Sequence, residues 1–249
     1  MASVSNGCVR ILLWTGPRNV STALMYSFAQ RADTRVVDEP YYGHYLRVSG
    51  ADHPGKDEVL AAMEQDGNRV TRRVILGPCD RPVIFFKNMT HHMVELELDF
   101  LAQTTNVLLT RDPEEMLPSL EKGLGHPPIL RDTGYKAQAD LLQHLIDLGQ
   151  RPAVLESREL LGNPAGVLRR LCRHIGIAFE PAMLSWPPGP RPEDGIWAKY
   201  WYASVHQSTG FEPYRPKTRP FPEHLRPLLA ECQPYYEQLL PHIITAKEI

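Results

Sequence analysis

Arg18, Ser21 and Thr22 fall within the stretch Gly16-Pro17-Arg18-Asn19-Val20-Ser21-Thr22, which interrupts the apolar run Ile11 to Trp14 and leads into residues of helical character. A continuous apolar run suits a strand buried in a parallel sheet, and a turn into a helix leaves the helix's first N–H groups without partners. Those donors, with the positive end of the helix dipole, suit a phosphate or a sulfate. Arg18 can present a guanidinium fork to a tetrahedral anion, and Ser21 and Thr22 can add hydroxyl donors. A second basic strand end comes in Asn106-Val-Leu-Leu-Thr-Arg111, where Asp112 can cap a helix, Pro113 opens it and Glu114 and Glu115 occupy its first turn. Ser119 comes eight residues after Arg111, about two helical turns on. Ligands of open parallel sheets bind outside the carboxyl ends of the strands, so Arg111 and the Gly16 to Thr22 loop are expected to face one crevice.

The loop's missing residues decide which anion it suits. A nucleoside-triphosphatase loop reads G-x-x-x-x-G-K-[ST], with the Lys on the terminal phosphates and the Ser or Thr on magnesium. Counted from Gly16, those last three places hold Ser21, Thr22 and Ala23. The lysine and the magnesium ligand are both missing, which argues against magnesium-dependent triphosphate hydrolysis.

TGPRNVSTAL resembles the 5′-phosphosulfate loop of the P-loop sulfotransferases, and TRDPEEMLPS resembles their 3′-phosphate motif. The similarity runs from Ile11 to Trp186, where VLESRELLGNPAGVLRRLC leads into IGIAF in the shape of the family's late strand and helix. The resemblance implies the co-substrate 3′-phosphoadenosine-5′-phosphosulfate (PAPS), with 3′-phosphoadenosine 5′-phosphate (PAP) as product and no metal. Gly16, Pro17, Arg18, Asn19, Val20, Ser21 and Thr22 would hold the 5′-phosphosulfate, and Arg111 and Ser119 the 3′-phosphate. Cytosolic members carry Lys where Arg18 stands and a Trp just after the Thr pair, where this chain has Ala23 and Leu24. Adenine stacking must then come from elsewhere. Arg215, Lys217 and Arg219 are a loose substitute for the family's late basic loop.

Sulfuryl transfer to a hydroxyl or amine by in-line displacement needs a base, donors on the moving sulfonate and stabilisation of the leaving phosphate. Two bases are open. In Pro82 to Met93, PVIFFKNMTHHM, Lys87 ends an apolar run and is followed by His91 and His92, an order similar to the family's KTH-type catalytic segment. In VVDEPYYGHYL, Glu39 resembles the Glu-Pro base of bacterial carbohydrate sulfotransferases, and a carboxylate can serve once burial raises its pKa. Lys87 would stabilise the sulfonate or the bridging oxygen, with Arg18 beside it.

Around these residues, apolar runs alternate with helical segments. Strands are expected at 10–14, 35–37, 83–87, 107–110 and 153–156, and helices at 21–32, 57–65, 95–102, 114–121, 134–148, 164–175 and 222–236. The fold class expected is α/β, a P-loop-type three-layer sandwich whose central parallel sheet is flanked by helices. A chain of 249 residues, 43% hydrophobic and with a formal net charge of -2, fits one domain over residues 1–249 in which 187–249 pack on the core as an extension. Its charge balance argues against nucleic-acid binding. No run approaches a membrane span, so a soluble cytoplasmic protein is expected, with a small-molecule acceptor as its partner. Cys8, Cys79, Cys172 and Cys232 are scattered and read as reduced thiols. Beyond the Pro- and Gly-rich WPPGPRPEDG, read as a surface linker, Trp197 to Tyr202 is the candidate wall of an acceptor pocket, together with Tyr41, Tyr42, His44 and Tyr45. Two other readings stay open: a magnesium-dependent phosphotransferase with a degenerate loop, using a ligand such as Asp38, and a PAP-binding module without turnover.

Overall fold

A computed structural model describes residues 7–216 and 219–246. Five strands, β1 (Val9–Thr15), β2 (Thr34–Asp38), β3 (Val83–Met89), β4 (Thr105–Thr110) and β5 (Ala153–Glu156), pair in parallel in the order β2-β3-β1-β4-β5. Each of the five expected strands is found, several one or two residues longer. Alternation along them feeds two faces. Ile11, Leu13, Phe85, Val107, Leu109 and Leu155 pack under the helices Ser21–Ala29 and Pro164–Ile175. On the other face Leu12, Trp14, Phe86, Leu108 and Val154 meet the helix Tyr135–Asp147 through Leu141, Leu142 and Leu145. The result is a three-layer α/β sandwich with a parallel sheet at its centre.

The chain leaves β1 toward one edge of the sheet and leaves β4 toward the other, so the switch point lies between these neighbours, where Thr15 is level with Leu109. The loops after them carry Arg18 and Arg111. Helix Pro113–Leu124 starts as expected: the Asp112 carboxylate accepts from the Glu114 N–H at 2.9 Å, with Pro113 at the first position. The far side of that helix packs on the C-terminal helix Arg226–Leu239 through Leu117, Leu228 and Cys232.

Three expectations need correction. The span 95–102 is not a helix; a short 3-10 turn begins only at Asp99, and Glu95 has φ 48°. Leu96, Leu98 and Phe100, spaced two apart and not at a helical repeat, are the residues of this span that pack into the core. The C-terminal helix runs Arg226–Leu239, preceded by a 3-10 turn at Glu223–Leu225.

The third concerns the cysteines. Cys8 and Cys79 form a disulfide across a sequence separation of 71, because β1 and β3 start side by side, with Val9 level with Val83. Cys172 and Cys232 are free and buried. In the chain-entropy account a loop of that size is worth up to about 4 kcal/mol, and native bridges commonly contribute about 2–4 kcal/mol. Cys8→Ser is therefore expected to lower the unfolding free energy read from urea melts by that order while leaving PAP affinity unchanged, since the bridge lies at the sheet end opposite the strand carboxyl ends. Equal unfolding free energies for variant and parent would contradict it.

Candidate active site

Gly16 is where β1 must turn, and a Cβ there would stand 2.8 Å from the Thr133 carbonyl oxygen. Past it the backbone takes two unusual steps: Arg18 and Val20 have φ of 60° and 58°, which cost roughly 1–3 kcal/mol each for non-glycine residues. Such turns curl successive N–H groups around a common point. Helix Ser21–Ala29 then begins with no side-chain cap, its first backbone bond being Leu24 N–H to the Val20 carbonyl. The N–H groups of the first turn are left for an anion. Asn19 braces the loop by donating from Nδ2 to the Leu109 carbonyl at 3.1 Å, and its Oδ1 is buried without a partner among the described residues.

Arg111 emerges from β4 against this loop. Its guanidinium donates to the Arg18 carbonyl at 3.1 Å and to Glu115 at 3.3 Å. The Arg18 Nε donates to Ser119 Oγ at 3.1 Å, so the two arginines and Ser119 sit together. Burial and the neighbouring Arg111 charge both lower the Arg18 pKa, because two guanidinium charges stand close together. Glu115, not singled out in the sequence, orients Arg111. Burial works against its ionisation, but hydrogen bonds from Tyr214 and Arg158 outweigh this and hold its pKa below the usual range.

The other half of the site grows from β2 and β3. Asp38 and Lys87 are level in adjacent strands, and Glu39 comes next at a strained φ of 40°. The Lys87 ammonium donates to Asp38 Oδ1 at 2.9 Å, to Glu39 Oε1 at 2.5 Å and to the Tyr202 hydroxyl at 2.6 Å. An ammonium has three N–H donors, so this set uses them all. Lys87 is thereby a partner of the acids in this structure, with its three donors engaged inside the protein, where the sequence suggested a cation facing the sulfonate. Burial alone would lower its pKa, but Asp38, Glu39 and Tyr202 raise it well above the usual lysine value. For Glu39, burial raises the pKa more than the Lys87 charge lowers it.

His91 and His92 lie in a 3-10 turn just past β3. Burial pulls the His91 pKa down to about 3, helped by His53 and Arg131, and carries His92 well below its usual value. Both are neutral imidazoles here. His92 stacks on Tyr42 and Tyr45 at centroid distances of 5.0 and 4.6 Å, and Tyr42 meets Trp197 edge-on at 5.1 Å.

A single cleft of about 670 Å³ joins the two halves. The loop from Pro17 to Ala23 with Arg111 and Ser119 lines one end, and Glu39, Lys87, His91 and His92 with Tyr42, Tyr45, Trp197 and Trp201 line the other. The segments 43–55 and 123–132 both reach its rim. The first contains a helix, Tyr42–Ser49, that the sequence did not suggest, and the second contributes Arg131's neighbours Ile129 and Asp132. Tyr41 and His44 stand outside the lining: Tyr41 packs on Trp14, and His44 bonds the Gln65 and Val94 carbonyls. Arg215 and Arg219 are exposed and do not line the cleft, and Lys217 lies outside the described residues. Trp201 and Tyr202 come from the segment beyond Trp186, whose linker is tied down by the Gly195 N–H on Asp38 and the Tyr26 hydroxyl on Asp194.

Known proteins resemble this chain in fold and in sequence. In fold the chain resembles the sulfotransferase domain from the curacin biosynthetic pathway, with a TM-score of 0.57 at 17% identity, covering 95% of this chain and 99% of that one. A sulfotransferase from Alicyclobacillus acidocaldarius is similar at a TM-score of 0.52 and 13% identity, over 94% of this chain and 95% of that one. In sequence it is 40% identical over 231 residues to the branched-chain-amino-acid aminotransferase-like protein 1 of Arabidopsis thaliana, a match that takes in 92% of this chain but only 41% of that relative's length. The sulfotransferase domain profile matches residues 9–241, and on that match the chain belongs to the sulfotransferase family.

Proposed function

We propose that this chain transfers the sulfuryl group of PAPS to a hydroxyl or amine of a small molecule, with Glu39 as the base. The observation that carries the reading is one cleft with an anion cradle at one end, Arg18, Arg111, Ser119 and the bare helix start at Ser21, and a buried acid pair at the other. The residues fit the co-substrate: the uncapped N–H groups and the Ser21 and Thr22 hydroxyls suit the 5′-phosphosulfate, and Arg111 with Ser119 suits the 3′-phosphate.

In the proposed step the acceptor oxygen or nitrogen forms a bond to sulfur while the bond from sulfur to the bridging phosphate oxygen breaks. The acceptor proton passes to a Glu39 oxygen, and PAP leaves with the added negative charge. Arg18 and the loop N–H groups face that developing charge from fixed positions, so little reorganisation is needed. No metal is required by this scheme. The acceptor lies against Tyr42, Tyr45, Trp197 and Trp201, flat apolar faces with few polar tips. "Aminotransferase-like" names a relative of which the matched region is only 41%. An aminotransferase forms an imine on a neutral lysine amine, and the lysine of this cleft, Lys87, is held protonated between Asp38 and Glu39.

Calorimetry in the presence of a chelator tests the donor site, with PAP and adenosine 5′-phosphate as ligands. PAP is expected to bind more tightly by about 1.5–3 kcal/mol, roughly 10- to 150-fold, the worth of a hydrogen bond between charged groups. Arg111→Ala should remove most of that difference by weakening PAP alone. Absence of PAP binding, or binding that needs magnesium, would overturn the reading in favour of a phosphotransferase. Tight binding with no turnover on any acceptor would leave a PAP-binding module.

A further inference from the structure

We infer that Tyr202 is a positioning residue for the proposed base: its hydroxyl locks Lys87 and Asp38 together so that Glu39 is the member of the acid pair left open to a proton. This rests on the reading of Glu39 as proton acceptor and adds a residue to it from a distant part of the chain.

The hydrogen bonds around the pair are unequal. Asp38 accepts from Lys87 at 2.9 Å on Oδ1, and on Oδ2 from the Tyr202 hydroxyl at 2.7 Å and the Gly195 N–H at 3.2 Å. Glu39 accepts from Lys87 alone among the described residues, and it lines the cleft. A carboxylate with three donors holds its charge better than one with a single donor, so a proton entering the pair goes to Glu39. Tyr202 creates much of that inequality, because it both donates to Asp38 and takes the third N–H of Lys87. The Tyr202 ring is itself fixed, 5% exposed, with the Trp197 indole N–H 3.4 Å from its oxygen. Burial, and then the Asp38 charge, push its own pKa well above the usual tyrosine value, so it remains a neutral donor over the working range.

Other charged or titrating groups surround the cluster. Tyr42 and His92 face Glu39 and Lys87 from the acceptor side. On the Asp38 side lie Tyr26 with Asp194, the Arg191 guanidinium over the Tyr26 ring, and His206 bonded to Asp194 and edge-on to Tyr202. Fully ionised, the core cluster has two carboxylates and one ammonium, an excess of one negative charge that the Tyr202 donor helps to hold. Without that donor the pair takes up a proton more readily.

The test monitors the Glu39 and Asp38 carboxyls by carbon-13 NMR titration, the Glu39 signal assigned by its loss in Glu39→Gln. Tyr202→Phe, which takes a donor from Asp38, is expected to raise the first titration of the pair by about one pH unit and to pass part of the proton uptake from the Glu39 signal to the Asp38 signal. Site-specific replacement of Tyr202 by 3-fluorotyrosine, a more acidic and stronger donor, is expected to move that first titration down. Opposite shifts cannot arise from a merely structural part, and the fluorinated protein decides the matter alone if Tyr202→Phe folds poorly. A Glu39 titration unmoved by either replacement overturns the inference. PAP calorimetry on the same samples reads the donor site separately, so failure there counts against the sulfotransferase reading and leaves the titration result standing.

Discussion

Glu39→Gln is expected to lower sulfuryl transfer by about 10²- to 10⁴-fold while PAP affinity stays as in the parent. Glutamine keeps the shape and one hydrogen bond to Lys87 but cannot take the acceptor proton. The size of the loss reflects the proton affinities in the cleft. A base works best with a pKa near the operating pH, and burial moves Glu39 toward that range whereas it moves His91 away, down to about 3. His91→Gln should therefore cost far less than Glu39→Gln. The comparison is made in single turnovers with sulfur-labelled PAPS and an acceptor found by screening, PAP calorimetry being run on each variant. If His91→Gln proves the more damaging and Glu39→Gln is nearly silent, the base is the histidine and the acid pair is structural.

Local features are legible in the sequence and tertiary ones are not. The apolar runs from Ile11 and from Asn106 announce buried strands, and the Gly-Pro-Arg-Asn turn and the Asp112-Pro113 pair announce the helices after them, because each is decided by residues a few places apart. From those signals alone the switch-point crevice between β1 and β4 can be expected. The acid cluster is another matter. Asp38 and Lys87 meet because β2 pairs with β3 in one register, and Tyr202 reaches Lys87 across 115 residues of sequence. Nothing near Lys87 in sequence signals either partner, so the sequence alone presents a free cation when its donors are all engaged. Trp197 is legible as aromatic wall material, but its bond to Tyr202, which ties that wall to the base, is not. The cysteines mislead for the same reason: scattered spacing says nothing about two strand ends that begin side by side. The span 95–102 misleads because its mix of polar and apolar residues suggests a helix, although Leu96, Leu98 and Phe100 keep a two-residue period.

Lys87→Met is expected to cost about 3–5 kcal/mol of stability at neutral pH, which is severe for a domain whose total is about 5–15 kcal/mol. Methionine fills much the same space, so the loss comes from leaving Asp38 and Glu39 buried at 7% and 8% exposure with no cation between them. The same burial sets the sign of the pH dependence. In the parent, burial already raises the Glu39 pKa against the opposing pull of Lys87. Without Lys87 it rises further, so the folded state binds protons more avidly than the unfolded chain. Stability held in that way is fully present below the unfolded glutamate pKa of about 4.3 and is lost as pH rises toward the folded value. Each extra proton bound by the folded state changes stability by about 1.4 kcal/mol per pH unit. Urea melts at pH 5 and pH 8 should thus show Lys87→Met close to the parent at the lower pH and far below it at the higher. Adding Glu39→Gln to the variant should recover much of the deficit at pH 8 by removing one of the two stranded charges. A Lys87→Met protein as stable as the parent at pH 8 would mean that the ammonium is not what holds the two carboxylates in the fold, and the acid pair would then need another source of compensating charge.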